Sequence, residues 1–180
     1  MIVLNIVARI AEDKNFFLDV IEIIHRFNKK KIDIKLNLVG EIYSEKLFEK
    51  LQISIKEYDL EDKVHFTKTS IPLATYCLGR KDELYLNFSV GNFFGYSAIE
   101  CFLLGLKTLL LNVDIHYSSE DEKGFIFCST IDSLEKKLLN IARDKDYYSA
   151  IICEDVENNL KKHKLIDDES HILVAKSLKA

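Results

Sequence analysis

Apolar residues follow two alternating rhythms along this chain. Short β-branched or aliphatic runs at residues 2–7, 32–39, 63–67, 83–88, 107–112 and 124–128 alternate with longer stretches in which apolar residues recur at helical spacing. Several runs are almost unbroken, as expected of strands covered on both faces. Phe17, Val20, Ile21, Ile24 and Phe27 form one helical stripe, and Leu47, Leu51, Ile55 and Tyr58 form another. Ser70, with Pro72 in the first turn, predicts the start of a third helix, because proline has no amide to lose there. Asp132-Ser-Leu-Glu135 reads as a capping box for a helix through Leu134, Leu138 and Ile141.

Beyond residue 145 the pattern changes, with no strand-like run and aliphatics spaced among Glu, Asp, Lys and Asn. Two helices are expected there, over 147–162 and 169–178. The whole predicts one α/β unit, a doubly wound parallel sheet of about six strands with helices on both faces and a helical C-terminal tail.

Composition narrows the function classes. With 180 residues, 48% of them apolar, the chain is long enough for one buried core and short for two. Its net charge of −4 supplies no broad basic field, so nucleic acid is not an expected partner. Any phosphate site has to be local.

The cysteines Cys77, Cys101, Cys128 and Cys153 stand 24 to 27 residues apart, without a C-x-x-C pair. They read as reduced and mostly buried, and no metal site is expected. The start "MIVLNIVARI" lacks the basic head and cleavage site of a signal peptide, and no run is long enough to span a bilayer. A cytoplasmic protein is expected.

In an open parallel sheet, ligands bind beyond the carboxyl ends of the strands. After the first strand stand Arg9 and, five residues on, Lys14. An arginine fork and a mobile ammonium can together neutralise a diphosphate, although Arg9 can instead pair with Glu12 or Asp13 at the surface. After the fourth strand, "SVGNFFGYSAIECFLLG" sets Gly91 and Gly95 before a helix whose first amides, around Phe94, Gly95 and Tyr96, form an anion site. Glu100 falls one to two turns into that helix, within an apolar run, and needs a donor: a ligand hydroxyl or a basic side chain. Phe93 and Phe94 also suit the core. Gly40 and Thr67-Lys-Thr69 add weaker signals at the same edge. No G-x-G-x-x-G or P-loop follows the first strand, which disfavours dehydrogenase and NTPase readings.

In order along the chain, these segments resemble the nucleotide-sugar-binding C-terminal half of GT-B retaining glycosyltransferases, family 4. "VARIAEDKN" is similar to that family's "GR-(x)n-KN", "LNLVG" to its second strand and glycine, and "EDKVHFTK" to "V-x-F-x-G". "SVGNFFGYSAIECFLLGLKTLLL" is similar to "S-x-x-E-G-F-G-x-x-x-x-E-A-x-x-x-G-x-P-V-I", and "DEKGFIF" to a "G-x-L" strand.

The resemblance implies a Rossmann-like domain over 1–145, with 146–180 as helices packing on it or toward a missing N-terminal domain. It implies that Arg9 and Lys14 hold the donor diphosphate and act catalytically on it. Amides around Phe94, Gly95 and Tyr96 would meet phosphate or sugar, and Glu100 would bond the ribose hydroxyls. The donor would be a nucleotide diphosphate sugar, with no metal or other cofactor. The acceptor, a saccharide or a lipid-linked saccharide in cell-surface polysaccharide or glycan synthesis, would be bound by the missing domain, as would any inner membrane face. Met1, almost at the first strand, suggests a fragment, inactive in transfer by itself.

Asn92 stands where the family has a carboxylate near the donor sugar, and is expected to bind the sugar hydroxyls with an acceptor and two donors but without the charge; Phe93 stands where the family has glycine, and Phe88 where it often has proline. The alternatives are therefore a degenerate, non-catalytic GT-B module that binds a ligand or a protein, and an unrelated doubly wound domain.

Overall fold

The computed structural model describes residues 1–14, 16–89, 94–113 and 124–162. Six strands form one parallel sheet: β1 (Ile2–Val7), β2 (Ile34–Val39), β3 (Val64–Phe66), β4 (Leu84–Phe88), β5 (Lys107–Leu111) and β6 (Phe127–Cys128). Their order is β3-β2-β1-β4-β5-β6. The chain thus winds outward in opposite directions from β1 and β4, which places the topological switch point between these two strands. The fold class is the one the hydrophobic pattern predicts. The expected final strand at 124–128 shortens to Phe127–Cys128, because Gly124 takes a φ of 154° and the amides of Phe125 and Ile126 donate to the Asp155 carboxylate instead of a ladder.

The helices are α1 (Phe16–Lys29), α2 (Glu45–Glu57), α3 (Leu73–Tyr76), α4 (Tyr96–Leu103), α5 (Ile131–Arg143) and α6 (Lys145–Lys162). In α1 the stripe Phe17, Val20, Ile21, Ile24 and Phe27 is fully buried against the sheet. Ser44 caps α2, its side chain accepting from the Leu47 amide at 3.2 Å. Pro72 precedes α3 as its cap rather than sitting in its first turn, and α3 is a single turn.

The predicted capping box of α5 is displaced by two residues. Thr130 accepts from the Ser133 amide at 3.0 Å, and the Ser133 hydroxyl accepts from the Thr130 amide at 3.2 Å. A hydroxyl at each end closes the box as well as the expected carboxylate would. The tail helix, expected over 147–162, begins two residues earlier and packs on α5, β5 and α4. The helix expected over 169–178 lies outside the described residues, as do Gly91, Asn92 and Phe93.

Two cores lie on the sheet. Leu84 and Leu86 belong to the larger one and Tyr85, between them, to a smaller one with Leu73, Cys77, Cys101 and Leu106. Alternation along β4 therefore puts the two on opposite faces. An asparagine network crosses the sheet next to the smaller core. Asn5, fully buried, donates to Glu83 at 2.8 Å and to the Leu84 carbonyl at 3.1 Å, and accepts from Asn37 at 2.9 Å and from the Tyr76 hydroxyl at 2.7 Å. Every polar atom of that asparagine is satisfied, which makes its burial tolerable. Three cysteines are buried, whereas Cys153 is exposed on α6.

Candidate functional site

The carboxyl end of β1 is built for close approach. Ala8 and Ile10 continue pairing beyond the strand, their amides donating to the carbonyls of Val39 and Glu41 at 2.9 Å each. Gly40 faces the Ala8 carbonyl so tightly that any Cβ there would overlap it. This is the physical need behind the glycine of "LNLVG". Beyond β3, Lys68 occupies the position of the glycine in "V-x-F-x-G" and adopts a left-handed φ of 59°, the backbone state that glycine enters freely.

Arg9 leaves this edge half-exposed, bonded through Nη2 to Asp13 at 3.0 Å. Its guanidinium lies 5.6 Å from the centre of the Tyr43 ring. Lys14, at the end of a single 3-10 turn over Glu12–Lys14, is half-buried. Burial lowers its pKa from the ordinary lysine value, with Asp13 pulling upward and Arg9 adding to the depression. The two cations are thus electrostatic neighbours. Among the described residues Lys14 makes no ion pair. Arg9 does, with one of the two carboxylates its sequence neighbourhood offers.

Two crevices open at this edge. The first, about 230 Å³, is lined by Arg9, Gly40, Glu41, Tyr43 and Ser70 among others. The second, about 200 Å³, is lined by Leu73, Leu86, Asn87, Ser97, Glu100 and Cys101 among others. Val7 and Ile71 belong to both, so the crevices adjoin across the switch point.

Glu100 is exposed, contrary to the burial its apolar neighbours suggest. Helix α4 buries Ala98, Cys101 and Phe102 and turns Glu100 to the mouth of the second crevice. Among the described residues nothing donates to its carboxylate. Gly95 caps α4, its carbonyl accepting from Ala98 and Ile99 at 3.0 and 3.1 Å, which leaves the Tyr96 and Ser97 amides outside that ladder. Among the described residues a Cβ on Gly95 would touch nothing within 4 Å, so nothing described there demands glycine. Tyr96 is 96% exposed. Phe94 packs edge-on against Phe102 and Phe127, with ring centres 5.9 Å apart in each case, and serves the core. Asn92 lies outside the described residues.

Sequence reasoning missed Tyr43, Asn87, Ile71 and Leu73. Asn87 had a signal, being polar within the apolar run "LYLNF"; it is 9% exposed and donates to the Cys101 thiol at 3.1 Å. Burial pushes that thiol up to about 11. Ile71 and Leu73 reach the site only through the return of the chain from β3 to β4, which no local pattern records.

A larger groove of about 550 Å³, with Lys30, Lys31, Arg143 and Lys145 on its walls, lies at the opposite, amino edge of the sheet beside Met1. Volume favours that groove, whereas topology favours the carboxyl edge, where Arg9 lines one crevice and Glu100 the adjoining one. Topology is the better guide, because strand ends there deliver backbone and side chains from several elements to one place. Among the described residues no group of three or more His, Cys, Asp or Glu is placed to hold a metal ion, and no helix is long and apolar enough to cross a membrane.

No protein-family model matches the sequence, and no curated protein does. Solved structures do match. The chain is similar to the C-terminal domain of a glycosyl transferase group 1 family protein, LpcC, from Francisella tularensis, with a TM-score of 0.70 at 15% identity over 92% of this chain and 87% of that one. It is also similar to Anabaena Alr3699/HepE in complex with UDP and glucose, with a TM-score of 0.68 at 16% identity over 99% of this chain and 48% of that one. A mutant of S. aureus TarM in complex with fondaparinux, alpha-GlcNAc-glycerol and UDP gives a TM-score of 0.67 at 22% identity over 98% of this chain and 34% of that one. The fold is therefore that of the Rossmann-like C-terminal domain of GT-B glycosyltransferases. The chain spans about half the length of HepE and a third of TarM.

Proposed function

We propose that this domain binds the nucleotide diphosphate sugar donor of a glycosyltransferase. The observation that carries the reading is the pairing of two unlike crevices at the switch point, one lined by Arg9, with Lys14 as that arginine's electrostatic neighbour, and one of mixed apolar and polar walls with Glu100, which accepts from no donor among the described residues, at its mouth. Such a pair matches the two halves of one ligand, since a diphosphate requires cations and a nucleoside requires apolar walls plus an acceptor for ribose hydroxyls. HepE and TarM, which share the fold, were crystallised with UDP.

In this reading Arg9 and Lys14 take the diphosphate oxygens and stabilise the charge that develops as the sugar departs. The amides of Tyr96 and Ser97 at the start of α4 add donors for phosphate or sugar. Glu100 accepts from the ribose hydroxyls, and the base lies between Ile71, Leu73 and the start of α4. The reaction is transfer of a sugar, of the retaining family 4 type and independent of metal. Its acceptor, a saccharide or lipid-linked saccharide of a cell-surface polysaccharide or glycan, is held by a second domain that this chain does not show. The buried reduced thiols fit a reducing, cytoplasmic setting.

Asn92 in place of a carboxylate supports a second reading, in which the domain binds nucleotide without transferring sugar. Calorimetric titration with UDP, GDP and ADP tests the shared step. Saturable binding that weakens in both Arg9→Ala and Glu100→Ala is expected. Binding indifferent to both substitutions removes the proposed site.

A further inference from the structure

The cation that reads most directly as a phosphate ligand is already engaged. Arg9 Nη2 lies 3.0 Å from Asp13 Oδ2, with both side chains about half-exposed. Glu12 and Glu41 stand nearby, so three carboxylates accompany the two cations Arg9 and Lys14 along this edge. An anion arriving here does not meet a bare positive patch. It meets an arginine whose fork is turned to an internal carboxylate.

The backbone around this pair is tied by hydrogen bonds. The amides of Tyr43 and Ser44 donate to the Ile10 carbonyl at 2.9 and 3.0 Å, and the Lys14 amide donates to the Ala11 carbonyl at 2.9 Å. Ser44 and Glu12 meet at 3.4 Å, which ties the turn carrying Asp13 to the cap of α2. The Tyr43 ring, itself exposed, lies beside the guanidinium and gives it a second contact that does not compete for its N–H groups. Exchange of one anion for another at Arg9 can therefore be made by rotating side chains, with these backbone bonds kept.

We propose that Asp13 is an exchangeable counter-ion of Arg9: it holds the guanidinium beside Tyr43 in the empty site, yields it to the ligand's diphosphate, and recovers it as that group leaves. The inference rests on the reading of Arg9 as a diphosphate ligand and adds a residue whose role is to weaken that hold. A site that gripped a nucleoside diphosphate with an unopposed arginine would release it slowly, and product release limits turnover in many enzymes. An exposed carboxylate is suited to this role, because its bond to arginine is worth little in water and is surrendered to a doubly charged group. Asp13 is in this sense a positioning residue, acting on the ligand through Arg9.

The test titrates inorganic pyrophosphate, UDP and uridine into the wild-type chain and into Asp13→Asn and Asp13→Glu, at low salt, with thermal unfolding of each variant as a control on folding. Asp13→Asn should tighten pyrophosphate and UDP about two- to fivefold and slow UDP dissociation, leaving uridine unchanged, as expected when a competing surface charge is removed. Asp13→Glu should behave as wild type, since the charge is kept. If Asp13→Asn leaves pyrophosphate and UDP unchanged or weaker while Arg9→Ala still weakens UDP, the counter-ion role is overturned and the site stands. Tighter pyrophosphate with no UDP binding keeps the counter-ion and removes the nucleotide reading. A chain on which neither anion binds overturns both.

Discussion

The two crevices at the carboxyl edge share Val7 and Ile71 and differ in nearly everything else. On the β1–β2 side the walls include Ala8, Val39 and Gly40, the half-exposed Arg9, Tyr43 and one carboxylate, Glu41. On the β4–α4 side they are Leu73, Leu86, Tyr85 and the buried Asn5, Asn87 and Cys101, with Ser97 and one carboxylate, Glu100, at the rim. In the proposed reading the first takes charge in water, where ions exchange at small cost. In the proposed reading the second takes a flat, weakly polar group, where apolar area and a few placed bonds decide. A ligand that satisfies both has an ionic end and an aromatic end joined by hydroxyls.

The most damaging change to the ionic side is expected from Gly40→Ala. The added methyl overlaps the Ala8 carbonyl, so β1 and β2 separate where Arg9 emerges, at a cost of about 3 kcal/mol in stability. Chemical denaturation checks this, with an unchanged m-value marking a pure loss of stability.

Next comes the apolar side, read through the Cys101 thiol. Burial raises its pKa from 9.0 to about 11, so the unfolded chain gives up this proton at lower pH than the folded one. Stability from this group is complete below pH 9 and is lost between about pH 9 and 11, by about 2 to 3 kcal/mol. Denaturation across that window should show a shallower fall for Cys101→Ala than for wild type; equal slopes would mean that the thiol is not buried as described.

Arg9→Ala is expected to weaken nucleoside diphosphate binding by about 2 kcal/mol and to leave free nucleoside untouched. A smaller effect, about 1 kcal/mol, is expected of Glu100→Gln. It should shrink further for a 2′,3′-dideoxy nucleotide, which has no ribose hydroxyl for the carboxylate to accept from. Titration of the four combinations separates the two sides, because an effect confined to one end of the ligand assigns that end to one crevice.

Much of this architecture is legible in the sequence, for identifiable reasons. Parallel strands buried on both faces write themselves as apolar runs, and α1 as a clean stripe, since each follows a single period. Gly40 is legible because close backbone contact admits no other residue. The α5 cap was misplaced, since Thr130 and Asp132 are both competent and only the local backbone decides between them. Glu100 looked buried because its neighbours are apolar, yet a helix eight residues long can bury three of them and still expose the glutamate. The pairing of Arg9 with Asp13 was one of the two surface partners the sequence offers. Its stacking beside Tyr43 was not foreseeable, because it depends on how the ends of β1 and β2 are brought side by side.

The central claim, that both crevices hold one ligand, is tested most directly by a crystal structure of the chain with UDP. The account predicts phosphate oxygens about 3 Å from Arg9, with Asp13 turned away, and a ribose hydroxyl within hydrogen-bond reach of Glu100. Nucleotide found instead in the groove beside Lys30 and Arg143, with the Arg9–Asp13 bond intact, would contradict it.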